Sequence, residues 1–221
     1  MNVSLIAKNV RYLVARVPTT VTIGLVALAT AALPFASDAL QYDRGRIMAG
    51  ELWRLATCHM THWNAEHLLW DLLMFVVLGA WCEWRQPKQM RICLVLGAAA
   101  VTGTVFFFFP HMSMYRGLSG VDSALFTLLA VELFREGRRS RDRLQCFVTT
   151  ALLLGFVGKI FYEVIAGGTI FVDDQAAGFV PLVWDHLAGA VVGIVVALTP
   201  WTLSRMPAAL MHVTKSSGQA L

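Results

Sequence analysis

The sequence predicts an all-α polytopic membrane protein: one domain across residues 1–221, built as a six-helix bundle with the N- and C-termini cytoplasmic. Three observations carry that expectation. Hydrophobic residues make up 57% of the chain and charged ones 14%, against roughly a quarter charged in a soluble domain. Mean hydropathy is +0.62, and the apolar residues gather into runs of about the length that crosses a bilayer. Finally, Lys and Arg concentrate in every other loop, with balanced or acidic loops between them, as the positive-inside rule expects.

The elements follow in order. Lys8, Arg11 and Arg16 precede a first apolar run from about Val17 to Phe35, read as a retained span rather than a cleaved leader, which has a shorter apolar core. A mixed loop follows, with Trp53, Arg54, His59 and His62, and His67 just inside the next span. The second span runs from about Glu66 to Cys82 and the third from about Met90 to Phe109. The fourth, from about Leu118 to Phe134, is about 25 Å long at 1.5 Å per residue. That is short for a hydrocarbon core of about 30 Å, which implies a start below the membrane surface. The fifth runs from about Leu144 to Ile165, and the sixth from about Phe179 to Trp201.

Loop charges set the orientation. The N-terminus, the loop with Arg85, Lys88 and Arg91, the loop with Arg135 to Arg143, and the tail with Arg205 and Lys215 are basic. The loops between them hold Asp38, Asp43, Glu51, Asp173 and Asp174. Both termini are therefore expected in the cytoplasm, and six spans satisfy that parity. The pI near 9.1 belongs to these loops, so no nucleic-acid partner is implied. Cys58, Cys82, Cys93 and Cys146 are scattered singly, without metal spacing, and read as small packing residues with no disulfide. Trp63, Trp70, Trp81, Trp84, Trp184 and Trp201 lie mostly near span ends, where indole rings anchor at the interface.

The chemistry is expected at Gly117-Leu118-Ser119-Gly120. Glycines on both sides allow close backbone approach, and the first amides of a helix are unpaired and partly positive. A serine there can attack a carbonyl while nearby N–H groups hold the oxyanion. Taken alone, Gly-x-Ser-Gly is more often a helix cap beside packing glycines. The sixth span adds His186 about seven residues in from the same external side, roughly 10 Å deep. Around it Gly189, Ala190 and Gly193 fall at i+3, i+4 and i+7, and on the fourth span Ser119, Ser123 and Thr127 step by four. Small faces of this kind let membrane helices pack backbone to backbone. An ionisable residue within a span is costly and usually functional. His67 and Asp71 share a face at the outer end of the second span, where an oxyanion-hole or capping role suits them. With His59 and His62 nearby, zinc is conceivable chemically, but the HExxH spacing is absent. No metal and no cofactor is expected.

In order along the chain, Trp53-Arg54, His62 and His67, Gly79 and Glu83, Gly117-Leu118-Ser119-Gly120, and His186-xx-Gly189-xxx-Gly193 resemble the rhomboid intramembrane serine proteases. The compact six-span core and the form Tyr115-Arg116-Gly117-Leu118-Ser119-Gly120 look most like the rhombosortase branch. That branch is associated with cutting C-terminal Gly-Gly-type sorting tails from exported proteins. The resemblance implies Ser119 as nucleophile and His186 as general base. His67, Asp71, Ser119 and the backbone of Leu118 would form the oxyanion hole. Trp53, Arg54, His62, Gly117, Gly120, Gly189 and Gly193 would support it. The partners implied are the lipid bilayer of a bacterial-type inner membrane and a single-span or C-terminally tailed membrane protein, cut near the periplasmic face.

Two positions depart from the family's pattern. Asp71 stands where asparagine is common, so it must be protonated by burial, pair with His67 or point elsewhere; a protonated donor is the reading adopted. Ser123 stands where an aromatic ring often supports the histidine, so His186 is expected to be oriented by hydrogen bonds. Asp185 points about 100° away from its neighbour on a helix, which argues against a triad through it. Lys159 and Glu163, four apart on the fifth span, form a self-neutralising pair; by the resemblance they would contact substrate entering there. Two other functions remain as expectations: a catalytically inactive rhomboid-like protein that binds membrane clients, and a small transporter using Asp71, Asp122, Lys159 and Glu163.

Overall fold

The computed structural model describes residues 12, 14–168 and 182–200. Lys8, Arg11, Asp173, Asp174, Trp201, Arg205, Lys215 and the outer edges of the sixth expected span lie outside the described residues. Helix α1 (Pro18–Ala32) begins with proline, whose fixed φ suits a first turn. It stops at Leu33, and Pro34 starts a separate short helix, α2 (Pro34–Leu40). The apolar run expected to be one span to Phe35 is therefore broken, because Pro34 brings no N–H to continue the ladder.

The first loop is folded. Strand β1 (Tyr42–Asp43) pairs antiparallel with β2 (Met114–Tyr115), Tyr42 opposite Tyr115. Short helices α3 (Arg44–Met48) and α4 (Arg54–Thr57) and a 3₁₀ turn (Cys58–Met60) complete it. Arg54, 1% exposed, holds the loop together. Its Nη1 donates to the carbonyls of Asp38 (2.8 Å) and Gln41 (2.9 Å), and its Nε to Glu51 (2.6 Å). Trp53 beside it is largely exposed.

Four long helices follow: α5 (Ala65–Arg85), α6 (Pro87–Phe108), α7 (Ser119–Ser140) and α8 (Arg143–Ala166); α9 (Val183–Leu198) is shorter. Among the described residues, α5, α6 and α8 are long and apolar enough to cross a membrane, while α1 and α9 are shorter apolar helices. The fold is mostly helical and consistent with a polytopic membrane bundle. Helix α7 runs six residues beyond the apolar stretch read from the sequence. Its last turns are polar, with Arg138 and Arg139 against the negative end of the helix dipole, and Arg141 ends it at φ 59°.

Helix α7 is the centre, packed by α5, α6, α8 and α9. Its buried face is rich in small residues, from Gly120 and Ala124 to Ala130, which lets four neighbours approach. The main core joins Phe75, Met90, Leu118, Leu125 and Val196; a second cluster around Tyr42, Cys58, Val101 and Tyr115 seats the first loop on α6. All four cysteines are free thiols. Helix α1 rests on α5, where Glu83 accepts from the Thr19 and Thr20 amides at 2.9 and 2.8 Å and from the Thr20 hydroxyl at 2.9 Å. A carboxylate there satisfies unpaired first-turn donors of α1. Gly79 makes the room, since a Cβ would sit 3.1 Å from the Thr20 hydroxyl.

The two ends of the bundle differ. Arg85 pairs with Glu136 at 2.6 Å, and Arg135 donates to the Ala197 carbonyl, so basic ends of α5 and α7 and the C-terminal end of α9 meet. Ser119, His67 and Asp185 lie at the opposite end.

Candidate active site

The turn before Ser119 is pinned on two sides. Gly117 takes φ 126°, and a Cβ there would fall 2.9 Å from His67 Nε2 and 3.1 Å from Asp71 Oδ2, so only glycine fits. Its N–H donates to the Cys58 carbonyl, and its carbonyl lies 3.2 Å from His59 Nδ1. His59 Nε2 faces the Ala98 carbonyl at 3.3 Å. Burial holds the pKa of His59 below its ordinary value. The buried ring sits between the loop and α6 and can donate to one of the two carbonyls when neutral, a structural role that the loop's composition did not reveal.

Ser119 then opens α7, with Leu118 at the cap position and no side chain capping the helix. Among the described residues those first-turn N–H groups have no side-chain partner, the situation in which a helix start can receive a developing anion. Ser119 contributes its carbonyl to the Ser123 hydroxyl at 2.9 Å; its own Oγ makes no hydrogen bond among the described residues.

His67, Asp71 and Leu118 do come together, but differently from the expected donor array. The Leu118 N–H is already committed, donating to Asp71 Oδ2 at 2.7 Å. His67 Nδ1 accepts from the Trp63 N–H at 3.4 Å, which assigns the proton to Nε2, and Nε2 lies 3.2 Å from the same Asp71 oxygen. His62 Nε2 is 3.4 Å away, too poorly aligned for a hydrogen bond. An oxygen ringed by donors suits an accepting carboxylate. Asp71 thus pairs with His67, one of the arrangements open to it from the sequence, and the Leu118 amide is not free for an oxyanion. Removing this acceptor should loosen the turn. Asp71→Ala leaves a buried N–H unsatisfied, at a cost of about 1–3 kcal/mol, read as a fall in thermal midpoint. Asp71→Asn keeps an acceptor oxygen and should lose less; equal midpoints for all three proteins would discount the contact.

His186 comes to the same end on α9, at its fourth residue. Where α9 crosses α7 the helices touch backbone to backbone. A Cβ on Gly189 would sit 1.8 Å from the Gly120 carbonyl oxygen, and one on Gly193 2.1 Å from that of Ala124. Gly120 in turn faces Val101 of α6, 2.7 Å from where its Cβ would be. The Thr127 hydroxyl donates across the seam to the Ala190 carbonyl at 2.9 Å. These contacts bring the residues next to Gly120 and just before Gly189, Ser119 and His186, to one cavity.

That cavity, about 950 Å³, lies between α5 and α8 with α7 and α9 behind it, lined among others by His67, Asp71, Ser119, Lys159, Glu163 and His186. His186 Nδ1 is 3.3 Å from Glu163 Oε2 and 3.3 Å from Lys159 Nζ, while Lys159 and Glu163 pair at 2.8 Å. Nε2 faces Asp185 Oδ1 at 3.5 Å. Asp185 Oδ2 accepts from the Tyr115 hydroxyl at 2.7 Å, tying β2 to α9. Burial and the adjacent carboxylate raise the Tyr115 pKa well above its ordinary value, so it stays a donor. Sequence reasoning missed this latch; Asp122, named there only as a transporter residue, has a buried carboxyl with no hydrogen-bond partner among the described residues.

A membrane-type helical bundle with a serine at a helix start and a histidine across a glycine seam defines a class, that of helical membrane proteins with polar side chains gathered at one end. Comparison with protein families places it further: the rhomboid domain matches residues 49–203, more than half of the chain, and the chain belongs to the rhomboid family. No curated protein matches it. A rhomboid fold is consistent with intramembrane proteolysis in general.

Proposed function

We propose that the protein is an intramembrane serine endopeptidase in which Ser119 is the nucleophile and His186 the general base. The observation that carries it is the backbone contact of Gly189 with Gly120, which brings a histidine within a helix to the cavity where an uncapped helix start presents a serine. Ser119 Oγ bonds to the substrate carbonyl carbon as its proton passes to His186 Nε2. The carbonyl π electrons move to oxygen, held by first-turn amides of α7, Ser119's own among them. The same proton then goes to the leaving amine as the C–N bond breaks, and water completes hydrolysis. For this step the imidazole turns Nε2 from Asp185 towards Ser119; such contacts commonly tighten only when substrate binds.

In this reading α1, α5, α6, α7, α8 and α9 are six spans, and the loop charges put both termini in the cytoplasm. The site then opens to the periplasmic side of a bacterial-type inner membrane. The substrate is a single-span protein, and the Tyr-Arg-Gly-Leu-Ser-Gly form supports a rhombosortase-like preference for a C-terminal Gly-Gly-type tail. The gap between α5 and α8 suits an incoming helix, because these two helices scarcely touch. A fluorophosphonate probe followed by peptide mapping tests the chemistry: label on Ser119 supports it, and a folded protein unlabelled at Ser119 and inert towards tailed substrates rules it out.

A further inference from the structure

We propose that Glu163 is a positioning residue for His186, so that the pair becomes a relay of three with its carboxylate supplied by α8. The inference rests on the protease reading of Ser119 and His186. Glu163 is one of only two buried residues that α8 has among those described, the other being Thr149. Its side chain is 1% exposed, and its Oε2 is the shared neighbour of Lys159 Nζ at 2.8 Å and His186 Nδ1 at 3.3 Å.

The tautomer follows from donors and acceptors. An ammonium and an Nδ1–H cannot satisfy each other across their 3.3 Å separation, whereas one carboxylate oxygen can accept from both. With the proton on Nδ1, the Nε2 lone pair is left to take the Ser119 proton. Without the carboxylate, Lys159 would donate to Nδ1 and force the proton onto Nε2, where the ring cannot act as base. Glu163 gains no proton in the cycle; it accepts the Nδ1–H bond once Nε2 is directed to Ser119 and favours the imidazolium that forms. Lys159 keeps the carboxylate paired when the ring is neutral.

Other groups near the ring do not fill this role. Ser123, where an aromatic support was missing, turns its hydroxyl to the Ser119 carbonyl. Asp185 faces the other nitrogen, Nε2, through Oδ1 at 3.5 Å while its Oδ2 is held by Tyr115, so it could orient only a ring protonated on Nε2, the outcome tested below. Asp71 is engaged with Leu118 and His67, and Asp122 makes no hydrogen bond to the ring.

The test uses the full chain in proteoliposomes with a tailed substrate. Glu163→Gln should lower kcat by about 10²–10⁴-fold with KM changed less than about threefold, and slow fluorophosphonate labelling of Ser119 in step. Glu163→Asp, which keeps the charge, should recover at least about tenfold of that loss. An unchanged kcat, or a loss confined to KM as for a mere substrate contact, would overturn the inference. Nitrogen-15 spectra of His186 in the wild-type protein decide independently of whether any variant folds. The neutral ring should carry its proton on Nδ1, and a proton on Nε2 overturns the proposal. Absence of label on wild-type Ser119 removes the protease reading and this inference with it. Normal labelling with a fully active Glu163→Gln removes the inference alone.

Discussion

Ser119→Ala and His186→Ala are each expected to lower cleavage of a tailed substrate by about 10⁴–10⁶-fold, and the double variant by hardly more. Members of one catalytic unit fail together, since neither does its part without the other. Stability should be nearly untouched. Ser119 Oγ makes no hydrogen bond among the described residues, and the carbonyl used by Ser123 is backbone, so alanine strands no partner. Removing the His186 ring leaves Glu163 paired with Lys159 at 2.8 Å, so no buried charge is left alone. Initial rates and thermal midpoints of the same preparations check both halves. Substantial cleavage by purified Ser119→Ala would end the serine mechanism.

The second large effect belongs to the seam. Gly189→Ala places a Cβ 1.8 Å from the Gly120 carbonyl oxygen, and a methyl group has no rotamer by which to escape. The helices must part, at a cost at or above the upper end of the usual 1–3 kcal/mol for overpacking. Separation also draws His186 away from Ser119, and a misplacement of about 1 Å costs roughly a hundredfold in rate. Gly193→Ala, facing the Ala124 carbonyl and the Thr127 hydroxyl at 2.1 and 2.2 Å, should behave alike. Gly155→Ala and Gly158→Ala on α8 are the controls, because nothing lies within 4 Å of their added methyl groups. There a better helix former should leave stability unchanged or raise it by up to about 1 kcal/mol. Equal midpoints for Gly189→Ala and Gly158→Ala would contradict the packing described.

What could be read from the sequence was whatever repeats along one element. The runs that became α5, α6 and α8 differ from the helices by a few residues, because apolar length is a local property. The spacing of Gly189, Ala190 and Gly193 marked a packing face for the same reason. Contacts between distant segments left no such trace. Two residues of β1 against two of β2 are too short for a strand pattern, and the Arg54 clamp works through carbonyls that any residue would supply. Helix α8 is apolar nearly all round, so nothing in its order of residues pointed Glu163 at His186. The contact of Asp71 with the Leu118 amide left no trace because its partner is 47 positions on. Pro34 was visible, but a proline inside an apolar run does not itself say whether a helix bends or ends.

The glycine seam also decides what the surrounding lipid can influence. Carbonyl oxygens of α7 fill the notches left by Gly189 and Gly193, so the helices cannot slide past each other by a fraction of a turn without collision. The height of His186 relative to Ser119 is therefore written into the chain, and a thicker or thinner bilayer has no purchase on it. Helix α8 is anchored mainly along α7 and shows most of its surface outward. Hydrophobic mismatch is relieved first by tilting that helix, so membrane composition would tune access to the cleft while the alignment within it stays constant.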